Sequence, residues 1–88
     1  MERWRVELTK NAQEDLDSLE RSIQYRILAK LSWLEKNFEH ATLLPLQGKW
    51  RGFFKLRVGD WRIIYSIHLP KHLLIVCYID RRDQIYKI

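Results

Sequence analysis

Cysteine is almost absent from this chain, with Cys77 alone among 88 residues, so no disulfide framework exists. The residue reads as a small buried hydrophobe in the apolar run LLIVCYI. Glycine and proline are scarce as well, three and two, which leaves no low-complexity linker and no glycine-rich loop to cradle a phosphate. No apolar stretch approaches the ~18 residues of a membrane-spanning helix. The first ten residues, MERWRVELTK, place charges where a secretory segment would carry its apolar run, and a reducing, cytoplasmic setting is the expectation. Acidic residues are outnumbered, eleven against sixteen Lys and Arg. The net charge of +5 favours nucleic acid, an acidic protein or an anionic membrane as partner.

Two further absences narrow the chemistry. His40, His68 and His72 lack the spacing to Cys or carboxylates that a zinc site requires, so no metal is assigned. There is no GxSxG, no P-loop and no Cys–His nucleophile pattern, and no cofactor is expected.

What the chain does hold is apolar and aromatic: 47% hydrophobic residues, with four Trp, four Tyr and three Phe. That is enough to build the thin core of one small domain, read here as spanning residues 1–88. The stretch WRGFFKLRVGDWRIIYS, residues 50–66, reads as a β-hairpin with Gly59-Asp60 as its two-residue loop. Glycine at the first loop position suits a type II′ turn, which needs φ > 0 there. This loop sets Val58 opposite Trp61, Arg57 opposite Arg62, Leu56 opposite Ile63, Lys55 opposite Ile64 and Phe54 opposite Tyr65. Because side chains alternate between faces, one face collects Phe54, Leu56, Val58, Trp61, Ile63 and Tyr65 and is fit for a core. The other collects Phe53, Lys55, Arg57, Arg62, Ile64 and Ser66. Like charges directly opposite each other cost a few tenths to about 1 kcal/mol, and that second face offers Arg57 and Arg62 no acidic partner. An external polyanion would offset the loss; ordinary solubility charge is the plainer reading.

Elsewhere the periods are simple. Residues 3–8, RWRVEL, alternate as a half-buried strand. Ala12, Leu16, Leu19, Ile23, Ile27, Leu31, Leu34 and Phe38 then recur at helical spacing from about residue 10 to about 39. A single helix of that length would be ~45 Å long, so a break is expected near Ser18 to Ser22. Residues 40–49 read as a connection, and Leu73 to Ile79 as a central strand buried on both faces. The expected fold is α+β: a helical hairpin on a mainly antiparallel four-stranded sheet, in the order β-α-α-β-β-β.

The cations Lys55, Arg57, Arg62 and Arg82 with Tyr86 remain as a set able to do phosphoryl chemistry without metal, since guanidinium groups hold phosphate oxygens bidentately. KLRVGDWRIIYSI, followed by an apolar strand and then DRRDQIY, resembles the signature of the RelE/ParE superfamily of bacterial and archaeal toxins, over nearly the whole chain. The resemblance implies one of two activities. RelE-like members are ribosome-dependent endoribonucleases that cleave mRNA by metal-independent 2′-OH attack, whereas ParE-like members inhibit DNA gyrase without catalysis. Lys55, Arg62, Arg82 and Tyr86 match the catalytic positions of the RNA-cleaving branch, with Tyr86 or Lys55 as general base and Arg62 and Arg82 stabilising the phosphorane. Lys55, Arg57, Arg62, Arg81 and Arg82 are the RNA-binding positions implied, Arg81 standing where relatives often have histidine. The partners implied are a cognate antitoxin, the ribosome and mRNA, with no membrane.

Overall fold

The computed structural model describes residues 3–81. Strand β1 (Arg5–Leu8) leads into helix α1 (Lys10–Asp17) and helix α2 (Arg21–Asn37). A two-residue strand β2 (Leu44–Pro45) and the hairpin strands β3 (Phe54–Val58) and β4 (Trp61–His68) follow, and β5 (Leu73–Arg81) comes last among the described residues.

Helix α1 starts where Thr9 turns extended and its hydroxyl accepts from the Ala12 amide at 3.1 Å, satisfying one of the first-turn donors. It stops at Asp17, where the Ser18 hydroxyl donates to the Asp15 carbonyl at 2.7 Å. The Gln24 amide of α2 then donates to the Leu16 carbonyl at 2.9 Å. That bond ties the corner of the helical hairpin, and the break falls at Ser18–Glu20, inside the expected window.

The sheet order is β1-β5-β4-β3-β2. Among the described residues it has five strands where four were expected, because Leu44 and Pro45 pair with Lys55 and Phe54 inside the stretch read as a connection. Two residues ending in proline give no periodicity to detect, yet they pair with the first two residues of the β3 edge. Strand β1 pairs with β5 in parallel and every other pairing is antiparallel, so β5 is interior, as its apolar run requires.

One face of the sheet receives the helices. Ala12 and Leu16 of α1 and Ile27, Leu31 and Leu34 of α2 meet Val58, Ile63, Tyr65, Leu74, Val76 and Ile79 in a single buried cluster. The hairpin register is the one its loop dictates, with Val58 against Trp61 and Arg57 against Arg62. Gly59 has φ +58 and Asp60 does not share a positive φ, as a type II′ turn requires.

Strand β5 carries one irregularity. Tyr78 pairs with Ile64 and Val76 with Tyr65, which makes Cys77 the extra residue of a bulge. Strand β1 has ended by this point, and α1 takes over its role. The Cys77 carbonyl accepts from Asn11 at 3.2 Å and from the Thr9 hydroxyl at 3.4 Å, and the Ile79 amide donates to Asp15 at 3.1 Å. Polar side chains of the helix thus satisfy backbone groups that no strand reaches.

Candidate nucleic-acid face

The face of the sheet away from the helices is laid out in cross-strand rows. Arg57, Arg62 and Asp80 form one row, and Lys55, Ile64 and Tyr78 form the next. Lys55, Arg57 and Arg62 therefore share one face. Arg57 is exposed and Lys55 half-buried. Arg81, opposite Trp61, alternates to the helix side and is exposed there. Arg82 and Tyr86 lie outside the described residues.

Two features of this face depart from the sequence reading. An acidic residue does stand in the arginine row, since Asp80 is opposite Arg62. Its position two strands away from Arg57 is invisible to a hairpin read in isolation. Arg62 itself is buried, 6% exposed, and its Nη1 donates to the carbonyls of Gly59 and Trp61, each at 2.8 Å. Its Nε is buried without a hydrogen-bond partner. The guanidinium is thus folded onto its own turn, while Arg57 projects into solvent. Beside the same turn lies Arg26 of α2, whose Nη2 would be 2.5 Å from a Cβ placed on Gly59.

Sequence reasoning missed an aromatic corner. The rings of Trp50 and Tyr78 meet edge-on at 5.1 Å and 86°, and Trp50 meets Phe53 at 5.5 Å and 87°. The 3-10 turn Gly48–Trp50 holds the indole there, with the Phe53 amide donating to the Trp50 carbonyl at 3.0 Å. Phe53 was legible on this face from alternation. Tyr78 was not, because the bulge at Cys77 shifts the parity of β5.

A cleft of about 900 Å³ opens elsewhere, between the start of β1 and the end of α2, and contains none of the expected site residues. Its walls include Arg5, Trp4, Lys36 and Phe38. Among the described residues no group of three His, Cys, Asp or Glu is arranged to hold a metal ion, and no helix is long and apolar enough to cross a membrane.

A family model described as the ParE toxin of type II toxin–antitoxin systems matches residues 6–86. No curated protein matches the sequence. Among solved structures, the toxin–antitoxin complex RelBE2 from Mycobacterium tuberculosis is similar at 23% identity and TM-score 0.81, over 91% of this chain and 99% of that one. The archaeal RelE–RelB complex from Pyrococcus horikoshii is similar at 24% identity and TM-score 0.71, covering 90% and 94%. The DinJ–YafQ toxin–antitoxin complex of E. coli is similar at 19% identity and TM-score 0.72, covering 94% and 97%. At these identities the structural likeness establishes the fold.

Proposed function

The chain belongs to the ParE toxin family of type II toxin–antitoxin systems, within the RelE/ParE superfamily, and on that premise we propose that it is a ribosome-dependent mRNA endoribonuclease. The observation that supports this reading is the hairpin register, which gathers Lys55, Arg57 and Arg62 on the sheet face that the helices leave open. RNA carries its own nucleophile, so the protein need only align it, accept a proton and stabilise charge.

In the proposed reaction the 2′-oxygen attacks the adjacent phosphorus as Tyr86 or Lys55 accepts its proton. The P–O5′ bond breaks, and the leaving 5′-oxygen takes up a proton. The upstream fragment ends in a 2′,3′-cyclic phosphate and the downstream fragment begins with a 5′-OH. Arg82 stabilises the phosphorane, and Arg57 binds backbone phosphate. Arg62, buried and bonded to its turn, contributes by its charge and by fixing the hairpin tip. No metal or cofactor takes part.

The second reading, a non-catalytic inhibitor of DNA gyrase, draws on the family model being that of a ParE toxin. Mapping mRNA ends after incubation with translating ribosomes, beside a gyrase supercoiling assay, separates the two. Cuts with downstream 5′-OH ends support the nuclease. Uncut message with blocked supercoiling overturns it, and a downstream 5′-phosphate rules out 2′-OH attack.

A cognate antitoxin completes the proposal, as in the RelBE2 and RelE–RelB complexes that share the fold. The outer side of α2 exposes Tyr25 (69%), Leu28 (48%) and Trp33 (43%), with Arg21, Arg26, Lys30 and Lys36 on the same helix. An acidic amphipathic helix fits that combination of apolar stripe and positive charge.

A further inference from the structure

We propose that Tyr78, backed by Trp50, is a stacking site for one base of single-stranded RNA whose backbone follows β3 past Lys55 and Arg57. The proposal rests on the nuclease reading for its ligand and adds a site outside the residues that reading uses.

Tyr78 is 38% exposed on the open face of the sheet, where β5 runs beside β4 beyond the end of β1. Its neighbours in the row are Ile64, 1% exposed, and Lys55. The phenol therefore rises beside a buried isoleucine, two strand spacings or about 10 Å from the Lys55 backbone. Trp50 meets it at 86°, so the two rings make a corner in which a base lying on one ring abuts the edge of the other. The Trp50 indole N–H is buried and has no hydrogen-bond acceptor. A buried donor left unpaired opposes folding, so fold stability alone gives a poor account of an indole at this position.

Charge complementarity selects the occupant. The cations of β3, Lys55 and Arg57, alternate onto the same face as Tyr78, which sets an aromatic surface beside a line of positive charge. Proteins that hold single-stranded nucleic acid combine these two elements, since a basic track follows phosphates while rings take the bases. A duplex cannot use the corner, because its bases are already stacked.

The test is the affinity of the isolated protein for a fluorescently labelled mixed-sequence RNA decamer, measured by anisotropy over a range of salt. Tyr78→Leu keeps apolar bulk and removes the ring. It should weaken binding by about 5- to 150-fold, the range carried by one stacked base, with the salt slope unchanged because no phosphate contact is lost. Tyr78→Phe should stay within about twofold of the unsubstituted protein, and equal melting temperatures for the Leu and Phe variants would exclude a folding artefact. Unchanged affinity for Tyr78→Leu, or an equal loss for Tyr78→Phe, overturns the stacking site. So does failure of the unsubstituted protein to bind the decamer. Ribosomal cleavage is scored separately: tight ring-dependent binding without cleavage would sink the nuclease and leave the stacking site, whereas cleavage indifferent to Tyr78→Leu, with unchanged decamer affinity, would do the reverse.

Discussion

Arg62 donates its Nη1 to the carbonyl of Gly59, three residues earlier, at 2.8 Å, and so closes the β3–β4 turn with a side chain from the strand that leaves it. The same nitrogen reaches the Trp61 carbonyl. Hydrogen bonds from a charged donor contribute about 1.5–3 kcal/mol, so Arg62→Ala should lower the melting temperature by roughly 5 °C or more in a domain of this size. Under the proposed function it should also slow single-turnover cleavage on saturating ribosomes, by about 10²- to 10³-fold if its charge acts in the transition state. Arg62→Lys keeps a charge without the planar fork and should recover less than half of the stability loss. A melting temperature unchanged in Arg62→Ala would show that the turn does not depend on the clamp.

Arg57 faces Arg62 and projects into solvent. Removing it relieves a like-charge pair, so Arg57→Ala should leave stability unchanged or raise it by up to about 1 kcal/mol. Its affinity for single-stranded RNA should fall, and the slope of log K against log salt should drop by about one unit. Loss of stability with binding intact would assign the side chain to packing.

Gly59 adopts φ +58 with the Arg26 guanidinium beside it. Gly59→Ala should cost about 1–2 kcal/mol from the left-handed backbone alone, as read by urea unfolding. The close contact adds little, because the far end of Arg26 can swing away. Gly59→Asn should cost less, since asparagine tolerates positive φ. Equal stability for both variants and the parent would mean that the turn can relax.

Glu35 of α2 accepts from the Val6 amide at 2.7 Å, on the edge of β1 turned away from β5. This bond closes an edge that could otherwise recruit another chain. Glu35→Ala should destabilise by about 1–3 kcal/mol and introduce concentration-dependent association in light scattering. Glu35→Gln, which retains an acceptor, should remain monodisperse.

Two groups make alkaline pH unfavourable. Burial pushes the Cys77 thiol above its ordinary 9.0, a rise that a hydrogen bond with Ser66 only partly offsets. Burial likewise pushes the Tyr65 phenol above its ordinary 10.0. In both cases the folded state favours the neutral form. Their contribution is thus complete below pH 9.0 and is lost as pH climbs through 9.0 and 10.0, where the unfolded chain ionises first. The urea midpoint should fall between pH 8 and pH 10.5, and Cys77→Ala should remove the thiol's share. A midpoint that rose over this range would contradict the sign.

The hairpin, the helical pair and the core face were legible in the residues because each is a local matter. Gly59-Asp60 leaves a two-residue loop one sensible register, and a side-chain period of 2 or 3.6 then assigns faces. Tertiary structure decided what local patterns do not encode. The parallel pairing of β1 with β5 joins segments 68 residues apart, such as Arg5 and Leu73. The bulge at Cys77 inverts the parity of everything after it, so Tyr78 reaches the open face beside Trp50 and Asp80 reaches Arg62. A one-residue slip is invisible in an apolar run, where either face can be buried. Arg62 could be read as a cation on the open face, but its burial against Gly59 depends on where the guanidinium finds acceptors. Composition and period do not report that.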